Sequence, residues 1–343
     1  MVSNKFVHKS NIKISLIIPV DSNDVDKFRF LIKKLNNNIK YLFEIIAVFS
    51  NFKEESGMSN YEEISQIADN KLTLIFNEKI CFPGEARNIG LKLSKGNFIA
   101  FLDVNTIPPV NWLEKSIKLV SNNESLLGRT EYQYTNNFNK AFISATYGFK
   151  PLYTVPGSII KKDLFSRVGW FIPNVRSGED SDWIKRSLYF SPFLKNNQVP
   201  SIKYIGLKDK KLAYLCKKWH KGYISSSILQ IHQRQKYIYL LLITNFLIIF
   251  AFNWNSIFSE WDMNNQLYIP HVTKMTAIFI AFIYVCIRIL LIPISKGVKF
   301  KKFSIMDFFN LLLISVIIDT VKLFAFAQSS LINLLNKCRS KVK

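Results

Sequence analysis

The sequence predicts an α/β fold, a mostly parallel Rossmann-like sheet, followed by interfacial and membrane-anchoring helices. Three observations carry that expectation. Short strand-like runs alternate with helix-period segments over residues 1–207. A basic, aromatic stretch occupies 208–235, and long apolar runs fill 236–343. Strand–helix alternation implies parallel strands joined by crossover helices, and ligands of such sheets gather at the carboxyl ends of the strands.

The strand expectations come first. Residues 14–20 (ISLIIPV), 44–49 (EIIAVF), 71–76 (KLTLIF) and 98–102 (FIAFL) are short and rich in β-branched or aromatic residues. Near-continuous apolar runs of that length suit strands buried on both faces. Between the first two, Phe28, Leu31, Ile32 and Leu35 recur at helical spacing. A second helix starts at Gly84 and presents Ala86, Ile89 and Leu93.

The apolar runs 237–252 (YIYLLLITNFLIIFAF) and 275–294 (MTAIFIAFIYVCIRILLIPI) approach the length needed to cross a hydrocarbon core of about 30 Å. They are apolar around their circumference and have basic flanks. A third run, 304–318, is interrupted by Asp307 and followed by Asp319 and Lys322, which suits a span or an interfacial helix. The loop 295–303 carries Lys296, Lys299, Lys301 and Lys302 and so prefers the cytoplasm. The 255–274 loop holds Glu260, Asp262 and only Lys274, and so faces outward. The tail carries Lys337, Arg339, Lys341 and Lys343, again a cytoplasmic preference. Two spans, about 237–254 and 275–294, with 304–335 interfacial or re-entrant, satisfy all three; three spans would place the basic tail outside. The expectation is a multi-pass protein of the cytoplasmic (inner) membrane with its α/β domain in the cytoplasm. Residues 1–13 lack the apolar core of a signal peptide.

Composition narrows the class. The net charge of +22 with 49% hydrophobic residues excludes an acidic disordered chain. Cys81, Cys216, Cys286 and Cys338 lie far apart, which argues against a disulfide scaffold or zinc ribbon. Part of the charge is compositional drift in a Lys-, Asn-, Ile- and Phe-rich chain; the rest suits phosphates or an anionic membrane. No nucleic-acid recognition motif is present.

Two motifs carry chemistry. Asp103-Val104-Asn105 falls at the carboxyl end of the fourth strand, where a carboxylate suits a divalent cation bridging a diphosphate. The same residues also suit a turn before a Pro-led helix. Gly178-Glu179-Asp180-Ser181-Asp182-Trp183 opens a helix. Its acids could serve the helix dipole, Asp182 could pair with Arg186 four residues on, or one carboxylate could act as a general base.

Together these pieces resemble the family 2 glycosyltransferases. PGEARNIGLKLSKGNFIAFLDVNTIPPVNWLE is similar to the family's G-x-A-R-N-x-G block, its F-L-D-x-D strand end and the following P and W-L. SLIIPV and EIIAV match its first two strands. GSIIKKDLFSRVGWFIPNVRSGEDSDWIKR matches its later block ending in G-E-D-x-D. The resemblance covers roughly residues 12–190. It implies a GT-A fold and an inverting, single-displacement sugar transfer from a nucleotide-activated donor. On that resemblance Pro19 and Val20 line the nucleoside pocket, Arg87 and Asn88 fix the nucleotide or its diphosphate, and Asp103 touches ribose or metal. Asp180 falls on the base, with Glu179 beside it; Gly157, Asp182 and Trp183 fall on the acceptor side.

Two positions depart from the pattern. Where the family usually has Asp-Asp after its second strand, this chain has Phe49 and Ser50, leaving Ser50 on the donor side. Asn105 stands at the second metal ligand; an amide oxygen can ligate Mg or Mn but adds no charge. The resemblance therefore leaves the donor base and the metal open.

Between the motifs and the first apolar run, Lys217, Lys218, Lys221 and Arg234 are interleaved with Tyr214, Trp219 and Tyr223. They suit a collar for an anionic leaflet, or a site for a pyrophosphate on the donor or a lipid-linked acceptor. The leading functional expectation is a membrane-anchored transferase adding one sugar to a hydroxyl of a surface polysaccharide or lipid-linked glycan. A polyprenyl-phosphate glycosyl synthase and a catalytically silent membrane scaffold are the alternatives.

Overall fold

Strand β1 (Ile14–Asp21) shows why the N-terminal runs are continuously apolar. Its Ile14, Leu16, Ile18 and Val20 enter one core layer and Ile17 the other, so neither face meets water. Strand β2 (Glu44–Ser50) divides in the same way, Ile45, Ala47 and Phe49 on one side, Ile46 and Val48 on the other. β3 (Leu72–Asn77) and β4 (Phe98–Phe101) complete a parallel half-sheet through pairings β1–β2, β2–β3 and β1–β4. The computed structural model describes residues 12–51, 61–120, 125–208, 210–225, 229 and 231–341.

Helix α1 (Val25–Leu35) buries Phe28, Leu31, Ile32 and Leu35, as the spacing predicts. Helix α2 (Tyr61–Ile67) precedes β3. Helix α3 (Pro83–Leu93) buries Gly84, Ala86, Arg87, Gly90 and Leu91. Leu93, expected on the inner face, is exposed: Arg87 and two glycines occupy the buried stripe, which rotates the helix relative to its apolar pattern.

Beyond β4 the sheet becomes mixed. The short β5 (Thr106–Ile107), helix α4 (Trp112–Val120), β6 (Leu126–Tyr132), helix α5 (Asn137–Ala145), β7 (Leu152–Lys161), α6 (Lys162–Val168), α7 (Glu179–Phe190) and β8 (Ser201–Tyr204) follow in order. Among the described residues the sheet has eight strands in the order β3-β2-β1-β4-β7-β6-β8-β5. β4–β7, β6–β7 and β5–β8 are antiparallel, whereas β6–β8 is parallel. The α/β expectation holds, with the mixed half built from strands the sequence pattern did not announce.

The remainder is helical. α8 (Leu212–Ser225) leads to α9 (Ile231–Phe258), α10 (Val272–Val285), a π turn at Cys286–Leu291, α11 (Ile292–Ser295) and α12 (Ile305–Lys341). Among the described residues, Val272–Ser295 and Ile305–Ile332 are long and apolar enough to cross a membrane, and α9 contributes a shorter apolar stretch, Asn245–Phe258. The third apolar run forms one continuous helix that extends past Asp319 and Lys322. Both of its acids are paired. Asp307 meets Lys140 at 2.9 Å, and Asp319 meets Arg288 at 2.8 Å and Lys322 at 3.3 Å.

One face of α12 is covered by the α/β domain. Leu311, Ile314 and Ile318 pack with Ala141, Phe142 and Ile143 of α5 and Leu215 of α8. The opposite face, with Phe309, Leu313, Val316, Leu323 and Phe324, is exposed and apolar. The loop after α11 is also tied to the domain, since the backbone N–H groups of Phe149 and Lys150 both donate to the Lys296 carbonyl at 3.0 Å.

Candidate functional site

The site forms where α3 meets the carboxyl ends of β1 and β4 and the start of α7. Each residue of the Gly84–Gly90 block has a distinct task. A Cβ on Gly90 would stand 2.5 Å from Ile17 Cγ2, so only glycine lets the helix lie against β1. A Cβ on Gly84 would stand 3.1 Å from Glu179 Cγ and 3.3 Å from Phe171 Cβ, so that glycine admits the start of α7. Ala86 packs with Ile46 and Val48. Gly178, which caps α7, has φ +93°, a conformation natural only to glycine.

Arg87 is the hub. Its side chain is 1% exposed, and its Nη2 donates to Asp103 Oδ1 at 2.9 Å. Its Nη1 donates to Glu179 Oε1 at 3.2 Å and Asp180 Oδ1 at 2.5 Å. One guanidinium thus faces three carboxylates from two distant segments. Burial pushes the Glu179 carboxyl above the usual range, the neighbouring Asp180 charge adds to that, and Arg87 opposes it. Burial likewise raises Asp180, against the pull of Arg87. The two differ in access: the Glu179 side chain is 7% exposed and the Asp180 side chain 27%.

Several expected residues have other partners. Arg87 is held entirely among these acids, and Asn88 clamps the Phe171 backbone through Nδ2 to O at 2.8 Å and Oδ1 from N at 3.0 Å. These two side chains brace the site through those contacts. Trp183, expected toward the acceptor, is fully buried, donates to the Gly169 carbonyl at 3.0 Å and stacks on Phe165. Asp182 is buried against Arg186, at 2.9 Å to Nε and 2.8 Å to Nη2. Gly157 lies in β7, where its carbonyl accepts from Trp112 Nε1 at 3.1 Å. In those three the carbonyl, the carboxylate and the indole are each engaged within the domain.

On the donor side, Pro19 and Val20 end β1, Val20 buried and Pro19 half-buried. Phe49 is core, edge-on to Phe28 at 5.4 Å. Ser50 Oγ accepts from the Cys81 N–H at 2.7 Å, which ties β2 to the segment entering α3. Asp103 and Asn105 lie together after β4. Asp103 Oδ1 is held by Arg87, while Asn105 uses its carbonyl to accept from Ile205 N at 2.9 Å. A free carboxylate oxygen and an amide oxygen remain for a hard cation. Among the described residues no three His, Cys, Asp or Glu side chains are grouped to hold a metal. Two side-chain oxygens would hold a divalent cation only with further oxygens from a bound ligand or water. The surplus of carboxylates over guanidinium points the same way, since an anionic diphosphate needs positive charge beside them.

An aromatic wall stands over the carboxylates, and the sequence pattern gave no sign of it. Tyr132 stacks on Tyr147 at 3.9 Å and 6°, and Tyr204 lies 5.1 Å from Tyr132. Burial raises all three phenols, and the charge of Asp103 reaches Tyr132 and Tyr204. Of the basic collar, Lys218 Nζ donates to Tyr204 OH at 3.3 Å, while Lys217 and Lys221 are exposed on α8. The Arg234 side chain lies outside the described residues. α8 itself abuts the loop before α7: the Arg176 N–H donates to Ser225 Oγ at 2.6 Å.

Residues 15–176 match the family model described as Glycosyl transferase family 2. A Rickettsia bellii protein described as an uncharacterized glycosyltransferase is 29% identical over 178 residues, 49% of this chain and 25% of that protein. The glycosyltransferase AglE of Haloferax volcanii is 25% identical over 189 residues, 51% of this chain and 60% of that protein. The chain thus spans a quarter of the first relative's length and three-fifths of the second's. The crystal structure of S. aureus TarS 1-349 in complex with UDP-GlcNAc aligns over 89% of this chain and 91% of that one, at 14% identity and a TM-score of 0.41.

Proposed function

The chain belongs to glycosyl transferase family 2 through the domain at residues 15–176, and from that premise we propose that it moves one sugar, with inversion, from a nucleotide-activated donor to an acceptor hydroxyl. The observation that carries the reading is the Arg87 hub, which joins the donor-side Asp103 to the acceptor-side Asp180 through one buried guanidinium. Asp180 takes the acceptor proton on the carboxylate oxygen that Arg87 leaves open. Its basicity, raised by burial, suits a base working near neutral pH. Glu179, nearly sealed from solvent, holds Arg87 in register beneath it. Asp103 and Asn105 would hold the divalent cation, which when bound neutralises charge on the departing diphosphate. Pro19, Val20 and Ser50 border the nucleoside.

The same reading places the chain on a membrane. α9 and α10–α11 cross it, and α12 lies in the interface, its inner face on α5 and α8 and its apolar outer face in lipid. The Lys296–Lys302 loop is hydrogen-bonded to Phe149 and Lys150, so it sits on the side of the catalytic domain, and its lysines assign that side to the cytoplasm.

The test is a pair of variants. Asp180→Asn keeps shape and removes the proton acceptor, so transfer should fall by about 10²–10⁴-fold with donor affinity nearly unchanged. Asp182→Asn, at a carboxylate paired with Arg186, should leave turnover close to wild type. Equal turnover in Asp180→Asn and wild type would remove Asp180 as the base. Failure of the wild type to bind or turn over any nucleotide sugar would overturn the transferase reading.

A further inference from the structure

Where the helical region meets the catalytic domain, cations outnumber acids. Arg288, carried inward on the π turn of Cys286–Leu291, has a side chain 8% exposed. Its Nε lies 2.8 Å from Asp319 Oδ2, and its Nη2 donates to Asp319 Oδ1 at 3.2 Å. Lys322 shares that Oδ1 at 3.3 Å, and Tyr284 OH donates to Oδ2 at 3.1 Å. Lys296 donates to the Thr146 carbonyl and has no acid partner among the described residues. Burial and then the like charges of Arg288 and Lys322 push the Lys296 amine down to about 8. Arg288 and Lys322 therefore share one carboxylate, with the unneutralised charge of Lys296 near them, in a half-dry junction, an arrangement that costs free energy unless an anion completes it.

The surroundings say which anion. Lys322 Nζ stands 5.1 Å from the Trp219 ring and 5.9 Å from the Tyr223 ring of α8. On the other side a cavity of about 600 Å³ runs between α9, α10 and α12, lined by Ile248, Ala251, Ile280, Ala281, Tyr284 and Val316. Tyr284 closes that cavity with its ring and touches Asp319 with its hydroxyl. An apolar trough that ends on a surplus of positive charge matches one molecule with a hydrocarbon chain and an anionic head. Arg288 precedes Ser295, the last residue of α11, by seven residues, roughly 10 Å of helix, which sets it on the apolar side of the basic loop, where an anion carried on a lipid is favoured over a soluble one. α8 then continues from this junction to Ser225, which holds the loop before Glu179 and Asp180.

Resting on the transferase reading, we propose that Arg288, Lys322 and Lys296 bind the phosphate of a lipid-linked acceptor whose chain lies in the α9–α10–α12 trough. The lipid then presents its sugar hydroxyl to Asp180 past the Trp219–Tyr223 wall.

The test uses the full chain in phosphatidylcholine nanodiscs. Retention of a long-chain isoprenoid monophosphate is compared with the matching isoprenol, phosphatidylglycerol and inorganic phosphate. The monophosphate should bind at least tenfold tighter than the other three. Lys296→Gln/Lys322→Gln should erase that preference without altering isoprenol binding, whereas Lys299→Gln, on the same loop, should stay within twofold of wild type. Asp319→Asn, which removes the competing carboxylate, should tighten the monophosphate further. Equal binding of phosphatidylglycerol, equal binding of inorganic phosphate, or an unchanged preference in the lysine double variant would each overturn the proposal. Donor binding is measured in the same discs: if it persists while lipid selectivity is absent, this inference alone fails. If donor binding is absent in the wild type, the transferase reading fails instead.

Discussion

Replacing Arg87 by methionine separates an electrostatic hub from simple packing. Methionine fills much of the same volume, so the main loss is the cation facing Asp103, Glu179 and Asp180. Removing one partner of a buried ion pair costs about 3–5 kcal/mol. Here the lower end applies, because the Asp103 and Asp180 side chains are 32% and 27% exposed and can recruit water. Glu179, at 7%, cannot, and it takes a proton instead. Its carboxyl already titrates above the usual range through burial and Asp180, and loss of Arg87 raises it further. The sign follows: a folded value above the unfolded one means full stability below the unfolded pKa of about 4.3, lost as pH rises through the folded value. The Arg87→Met deficit should therefore be about 3 kcal/mol at pH 8 and clearly smaller at pH 5. At roughly 2–4 °C per kcal/mol for a domain of this size, that is about 6–12 °C in Tm. Thermal unfolding of the detergent-solubilised protein at both pH values measures it, and adding Glu179→Gln should recover much of the loss at pH 8. An equal deficit at both pH values, or no recovery in the double variant, would refute the hub reasoning.

Three further outcomes are expected. Asn105→Asp restores a charge beside Asp103, so donor binding in Mg²⁺ or Mn²⁺ should tighten by about tenfold, near 1.4 kcal/mol by titration calorimetry; unchanged binding with full activity in EDTA would remove Asp103 and Asn105 from metal duty. Gly84→Ala forces a methyl to within 3.1 Å of Glu179 Cγ and should cost about 1–3 kcal/mol in unfolding experiments, with transfer falling in parallel; wild-type stability would mean the α3–α7 approach is slack. A cysteine at position 262 should react with an impermeant thiol reagent applied from outside intact cells, and one at 299 should not; the reverse pattern would invert the membrane arrangement.

The parallel half of the sheet was legible because β1, β2 and β4 are buried on both sides or nearly so, and β3, a half-buried edge strand, is almost as apolar in sequence. The mixed half was not. β7 contains Pro156 and Gly157, β6 contains Gly128 and Arg129, and β8 is only Ser201–Tyr204, so none carries a strand-like run. At the site, motif spacing located Asp103, Glu179 and Asp180, but not the guanidinium that joins them. That contact links residues 93 positions apart, and no local period encodes it. The Asp182–Arg186 pair was legible from its spacing of four residues, whereas the burial of Trp183 against Phe165 was not, because that contact lies outside the helix's own period. Asp307 read as an interruption of the apolar run because its cation, Lys140, lies elsewhere in the chain.

The docking of α12 onto α5 has a consequence for biosynthesis. Phe142 and Ile143 leave the ribosome some 170 residues before Leu311 and Ile314, the side chains that cover them. At about 5–20 residues per second, that interval lasts on the order of 10–30 s. Throughout it the nascent domain carries an uncovered apolar face while α9 and α10 are still being made. Chaperones or the bilayer itself must shield that face until the last helix arrives. A chain cut before Ile305 would keep the whole Arg87 hub and still emerge with this face bare, prone to cluster with its own copies. Completion of the catalytic domain is thus coupled to completion of the membrane region, and a molecule interrupted between the two is marked for clearance by its own surface.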